Sequence, residues 1–343
     1  MPHANLGKTL IIANPQAQSG AAAQAAARLQ RFLELYIHER AFDVAYTQAP
    51  RHACQIAARA VGYQTVLALG GDGVIHEVAN GLMRIDASRR PALGVVPVGS
   101  GNDFARTIGL TDCSGSDFSH LLASRPHAVD VMRVDWQRED TARGPAAQNA
   151  SARGMARPPG NAQAATGTEY VIETFSMGLD AAIGLGTHDL RYSTGLTGTA
   201  LYTASGLRAF GRDYRSFDSL VAFDGEPEKP LRTITFAVQN GPTYGSGFQI
   251  CPDADPADGL LDVCYAQGPA PRAIALPVFL SAKNGRHVHS KHIHMRRARK
   301  VSFTFAEANY PIQVDGERLE ATRLTIEVAP AALTVLKPAG TEH

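Results

Sequence analysis

The residues best placed to do chemistry stand in two glycine-rich turns, each after an apolar run. Val66 to Leu69 leads into Gly70-Gly71-Asp72-Gly73, and Val74 to Val78 continues as a helix start. A strand, a glycine turn and a helix N-terminus can aim several backbone N–H groups at a phosphate. Asp72 alone would repel that phosphate, so its natural chemistry is to hold a magnesium ion, or the ion's water shell, beside it. The second turn, Gly99-Ser100-Gly101-Asn102-Asp103, follows the run Leu93 to Val98. Gly99 and Gly101 allow close backbone approach, Ser100 and Asn102 offer polar side chains, and Asp103 adds a second hard oxygen ligand. A further turn after the first apolar run, from Asn14 and Pro15 to Ser19 and Gly20, can meet phosphate or base through side chains and N–H groups. Taken singly, GGDG is also a plain tight turn and Asn102-Asp103 a plain helix cap.

Elements that could position these turns are legible around them. Short apolar runs at Thr9–Ala13, Phe42–Tyr46, Thr65–Leu69 and Ala92–Val96 alternate with amphipathic stretches at Ala21–Glu39, His52–Val61 and Val74–Met83. This is the rhythm of a parallel sheet covered by helices, and ligands of such sheets collect beyond the strand carboxyl ends, where Asp72 and Asp103 fall. Leu29, Phe32, Leu33 and Tyr36 recur at helical spacing and are read as core. From Val129 the pattern turns to strands separated by Gly, Pro and Asp rich turns, with one helix around Gly198–Phe210. The expectation is an α/β nucleotide-binding domain over residues 1–128, completed by the tail 320–343. A mainly β sandwich over 129–319 would carry the substrate. Residues 141–168, rich in Ala, Gly, Pro and Arg, read as a mobile insertion.

Composition narrows the function. The 33 Lys and Arg nearly balance the 32 Asp and Glu over 343 residues, so no overall field steers the chain onto nucleic acid. Four scattered cysteines make no disulfide framework, and the apolar run at the start is too short for a signal peptide or membrane span. A cytoplasmic protein with only peripheral membrane contact is expected. There is no GxxxxGK[ST] run and no GxGxxG after a strand, so neither a P-loop nor a dinucleotide-binding Rossmann domain fits.

The set NPQAQSG at 14–20, GGDGVIHEVANGL at 70–82, PVGSGNDFAR at 97–106, MGLDA at 177–181, YGSGFQICPDADPADGLLDV at 244–263 and VDGE at 314–317 resembles the diacylglycerol kinase catalytic-domain family. The likeness is to its soluble bacterial lipid kinases, similar in turn to sphingosine and ceramide kinases, and its motifs run in family order over almost the entire chain. It implies a phosphofructokinase or NAD-kinase-like nucleotide domain, a C-terminal β-sandwich, ATP with magnesium between them, and phosphorylation of a lipid hydroxyl. It assigns Asp72 and Asp103 to a water and magnesium network, catalytic carboxylates to Asp315 and Glu317, and a structural metal to Asp258 and the backbone near Leu260. Gly70, Gly71, Gly73, Gly99, Ser100 and Asn102, with the first turn, make up the expected nucleotide contacts. Val74 and Ser100 stand where the family has threonine, and Gln18 where it commonly has glycine. Ala182 stands where sphingosine kinases place a base aspartate.

Phosphoryl transfer needs in-line positioning and charge balance more than covalent chemistry. Glu317 is assigned the proton of the lipid hydroxyl and Asp315 a place in its network, although Asp-Gly-Glu alone is also an ordinary hairpin turn. The stretch 283–300, with seven Lys or Arg, four His and no acidic residue, can attract an anionic membrane surface where the lipid substrate lies. Two other readings stay open, a NAD kinase-like small-molecule kinase and a nucleotide- or membrane-binding protein without turnover. A homodimer is neither required nor excluded.

Overall fold

A computed structural model describes residues 6–15, 21–36, 42–110, 117–139, 164–196, 198–306 and 310–338. It begins β1 (Thr9–Ala13), α1 (Ala21–Tyr36), β2 (Phe42–Tyr46), α2 (His52–Ala57), β3 (Thr65–Gly70), α3 (Asp72–Leu82), β4 (Ala92–Pro97) and α4 (Asp103–Thr107). Strands β2, β1, β3 and β4 lie side by side, all parallel. β1 and β3 are buried along their whole length, as strands covered on both faces must be. Leu29 and Leu33 of α1 are fully buried against this sheet and Phe32 partly so, while the side chain of Tyr36 lies outside the described residues. Helix α2 stops at Ala57 rather than Val61, because the following N–H groups of Arg59 and Ala60 tighten to carbonyls three residues back.

The chain continues α5 (His120–Ala123), β5 (Ser124–Arg138), β6 (Ala165–Val171), β7 (Thr174–Gly178), α6 (Leu179–Thr194), α7 (Gly198–Arg212), β8 (Phe217–Phe223), β9 (Lys229–Gln239) and β10 (Leu261–Gln267). It closes with α8 (Arg272–Ser281), β11 (Ile293–Ala298), β12 (Lys300–Phe305), β13 (Ile312–Val314), β14 (Glu317–Arg318) and β15 (Arg323–Pro338). The C-terminal part is mainly β, with aromatic residues such as Phe175, Phe236 and Phe303 at its centre. Two of its helices, α6 and α8, stand outside the one helix expected there. The insertion reading is also corrected at its end: Ala165–Thr168 belong to β6, paired with Asp135–Arg138, and Gly167 leaves room for the indole of Trp136. The rest of that stretch up to residue 163 lies outside the described residues.

β5 and β15 are the longest strands and pair with each other along most of their length. Val129 and Val131 of β5, with Leu333 and Val335 of β15, join the N-terminal core. Met132 and Val134, with Leu324, Ile326 and Val328, join the C-terminal core. β15 pairs with β12 at one end and runs parallel to β4 at the other, where Val335 stands opposite Leu93. Between these ends the register shifts, and Asp130, 1% exposed, pins the irregularity by accepting from Ala331 N at 2.7 Å and Gly259 N at 2.6 Å.

Candidate active site

The two glycine turns after β3 and β4 touch backbone to backbone. A Cβ on Gly99 would lie 2.5 Å from the Cα of Gly71, so neither turn has room for a side chain at that point. Asp72, the first residue of α3, turns across to the second turn, where Oδ2 accepts from Asn102 N at 2.8 Å and Oδ1 from Asp103 N at 3.0 Å. Asn102 takes a left-handed backbone with φ of 53°, and its Oδ1 accepts from Gly99 N at 2.8 Å. It therefore closes its own turn and does not cap α4. Val74 lays its methyl groups over Gly70, which accounts for an apolar residue at that position.

Asp103 reaches the other domain. Its oxygens accept from Ser246 N and Gly247 N, both at 2.9 Å, and from Arg106 Nη1 at 2.8 Å. Lys283 Nζ donates to Ser246 O at 3.0 Å, behind the same loop. Burial, with the charge of Asp103 beside it, pushes the Asp72 carboxyl up to about 7. Burial also raises Asp103, against the pull of its N–H donors and Arg106.

Asp315 and Gly316 sit at φ of 47° and 90°, joining β13 to β14. Two successive positive φ values are what a two-residue Asp-Gly hairpin requires, so the hairpin reading of DGE holds locally. Yet Asp315 is buried at 8% exposure, and four donors converge on it. Ile172 N lies at 3.0 Å, Glu173 N at 3.0 Å, Thr174 N at 2.9 Å and His76 Nδ1 at 2.8 Å. A carboxylate so engaged fixes the hairpin and has no lone pair left over for a passing proton. Glu317, two residues on, is exposed, with its Oε1 3.2 Å from where a Cβ on Gly73 would stand. No hydrogen bond or ion pair engages its carboxylate among the described residues. The hairpin thus presents Glu317 to the start of α3.

Sequence reading missed the residues behind this arrangement. His76 and Asn80, one helical turn apart on α3, hold the seam: Asn80 exchanges hydrogen bonds with Tyr170 N at 2.8 Å and Tyr170 O at 2.7 Å. Burial lowers the His76 pKa, but the bond and charge of Asp315 outweigh it and leave the ring above its ordinary value. Glu173 is 4% exposed and accepts from Thr107 Oγ1 at 2.7 Å, while its Oε2 has no partner among the described residues. Burial, with Asp103, Asp315 and Asp72 nearby, holds this carboxyl well above the carboxylate range. Only the i, i+4 spacing of His76 and Asn80 inside GGDGVIHEVAN signalled any of this. Of the first turn, Asn14 and Pro15 are described and Asn14 N reaches Leu69 O at 3.4 Å, whereas Ser19 and Gly20 lie outside the described residues.

Comparison with known proteins places this geometry. Residues 8–134 match the model of the diacylglycerol kinase catalytic domain, and residues 173–337 match the YegS C-terminal NAD kinase beta sandwich-like domain. The chain belongs to the diacylglycerol kinase catalytic-domain family. It is similar to the Diacylglycerol kinase of Mycobacterium tuberculosis, at 29% identity over 97% of this chain and 96% of the other. It is also similar to a Pseudomonas aeruginosa protein named Probable lipid kinase YegS-like, at 29% identity over 82% and 80% of the two chains. The fold is shared with a crystal structure of a diacylglycerol kinase from Bacillus anthracis, with TM-score 0.66 over 98% and 99% of the chains at 17% identity. The chain is thus a kinase of this superfamily, with the α/β domain and β-sandwich that the family carries.

The family's magnesium can be tested against the donors present. A Cβ on Gly101 would stand 2.5 Å from Asp72 Oδ2 and 3.2 Å from Asp103 Oδ2, so both carboxylates border one small space with no side chain in it. Each raised carboxyl would gain from a cation there, and the two oxygens that border the space, Asp72 Oδ2 and Asp103 Oδ2, accept one N–H each and keep a lone pair. The donor set fits magnesium held partly through its water. At the family's second metal position, Asp258 Oδ1 accepts from Leu260 N at 3.0 Å and Oδ2 pairs with Arg297. That side chain is therefore committed to a cation of the protein's own.

An apolar cleft adjoins the site on the C-terminal side. Leu179, Ile183, Phe210, Ile234, Val278 and Phe279 line it, with Asp180 at one end. Asp180 accepts from the hydroxyl of Tyr244, which belongs to the loop that holds Asp103. Phe248 of that loop stacks on Phe279 with ring centroids 5.6 Å apart. The loop that holds Asp103 therefore packs against two residues that line the cleft, Asp180 and Phe279.

Proposed function

We propose that this kinase transfers the γ-phosphate of ATP to a hydroxyl of diacylglycerol or a related lipid. The observation that carries the reading is Glu317, exposed and unpaired among the described residues, set by a locked hairpin beside Gly73 where α3 begins. The two glycine turns and the N-terminus of α3 receive the phosphates. Asp72 and Asp103 hold magnesium, which supplies the positive charge that balances the moving phosphoryl group. Glu317 accepts the proton of the lipid hydroxyl as that hydroxyl oxygen attacks the γ-phosphorus and the bond from phosphorus to the leaving ADP breaks, and Asp315 with His76 keeps Glu317 in place. The apolar cleft beyond the Tyr244–Phe248 loop suits a lipid tail better than NAD, which favours a lipid acceptor over the NAD kinase-like alternative.

The test is transfer of labelled phosphate from ATP with magnesium to diacylglycerol, monoacylglycerol, phosphatidylglycerol, ceramide and sphingosine in detergent micelles, with NAD alongside. One lipid labelled by the wild type and by neither Asp72→Asn nor Glu317→Gln supports the reading. Labelling of NAD alone, or of nothing by a folded ATP-binding chain, refutes it.

A further inference from the structure

Between Arg272 at its start and Ser281 at its end, helix α8 is apolar all round. Ala275, Val278 and Phe279 face the apolar cleft, while Ala273, Pro277 and Leu280 are exposed, Leu280 at 47%. A surface helix ordinarily turns charge outward, and one that is apolar on every side is normally buried. No described residue of the chain covers the outer face of α8. The segment that contains it has a matching charge pattern: residues 263–306 hold eight Lys or Arg and no Asp or Glu. Directly after α8 come two 3-10 turns, Ala282–Asn284 and Arg286–His289. Arg286, His289 and Lys291 are exposed there, and none forms an ion pair among the described residues.

We propose that α8 docks on an anionic lipid bilayer, lying in its surface with Leu280 and Pro277 inserted and Arg286, His289 and Lys291 against the headgroups. At ten residues the helix is too short to span and suits the interface. A two-fold contact with a second copy through this face would set two basic fringes against each other, which an anionic surface does not. Docked so, α8 is the partition between bilayer and cleft, and Phe279 links it to the loop that holds Asp103. The inference rests on the lipid-kinase reading for its purpose, though not for its test.

The experiment is co-sedimentation of the full chain, without ATP, with vesicles of phosphatidylcholine alone or mixed with phosphatidylglycerol. The wild type is expected to bind the mixed vesicles about tenfold more tightly, and both Leu280→Asp and the pair Arg286→Glu with Lys291→Glu to lose about that factor. These variants keep turnover on lipid dispersed in detergent. Wild type that ignores both vesicles, or variants that bind as it does, overturns the proposal. So does a wild-type dimer in size-exclusion chromatography that Leu280→Asp converts to monomer. Micellar turnover is scored separately, so its absence condemns the lipid-kinase reading and leaves the vesicle result to judge α8.

Discussion

The imidazole of His76 donates from Nδ1 to Asp315 Oδ2 at 2.8 Å, joining α3 of the N-terminal domain to the hairpin that carries Glu317. Both groups are buried, so the bond fixes the spacing between the start of α3 and the hairpin of Glu317 with little freedom. Replacing Asp315 by Asn turns an amide toward donors it cannot satisfy. Asp315→Asn is expected to lose about 2 to 4 kcal/mol of stability in urea unfolding, with turnover lost in parallel. Unchanged stability would mean that the four donors find other partners.

Glu317 calls for the opposite outcome. Because its side chain is exposed and engaged by no bond among the described residues, Glu317→Gln should leave the melting temperature and ATP affinity unaltered while kcat falls by about 10² to 10⁴. An unaffected kcat would remove it as the proton acceptor.

The contact of Gly99 with Gly71 makes a steric prediction. Gly99→Ala must push the two turns apart, and we expect a loss of about 1 to 3 kcal/mol together with weaker ATP binding. Gly184 in α6 is the control: a Cβ there meets nothing within 4 Å, so Gly184→Ala should stabilise by up to about 1 kcal/mol. Equal melting temperatures for the two variants would contradict the packing.

Asp180 gives a pH dependence of definite sign. Burial pushes its carboxyl up to about 6 from an ordinary 3.8, against the Tyr244 and Ser176 bonds. Between these values the unfolded chain has already lost the proton that the folded chain keeps, so stability falls as pH rises from about 4 through 6. Asp180→Asn keeps an acceptor for Tyr244 and removes the charge. It should match the wild type at pH 4 and exceed it by of the order of 2 to 3 kcal/mol at pH 8, read from urea midpoints at both values. A variant less stable at pH 8 would show that the charge is welcome there.

The sequence reading worked where one residue type does one job. Glycine turns after all-apolar strands brought Asp72 and Asp103 together, because close backbone approach leaves a local trace. It failed where a residue acts across the seam. Glu173 meets Thr107, and Ser246 and Gly247 meet Asp103, only in the folded chain, and no local spacing marks either encounter. It failed also at α8, whose Ala-Ile-Ala-Leu-Pro-Val-Phe-Leu run has no polar face to set a period and carries Pro277 inside. The full length of β15 is not legible either, since Pro330 and the shifted register break the alternation before Leu333 resumes it. Asp315 was read as a partner of Glu317 and proves to be the anchor of its hairpin.

The pairing of β15 with β4 has a consequence for the order in which the chain takes shape. The edge of the N-terminal sheet beyond β4 is closed by residues around Val335, more than two hundred positions later. During vectorial synthesis the glycine turns and helices of the first half therefore emerge beside an open strand edge, which stays without its β15 neighbour until residues around Val335 have been made. The sheet begun by β1 to β4 is completed only when β15 joins it.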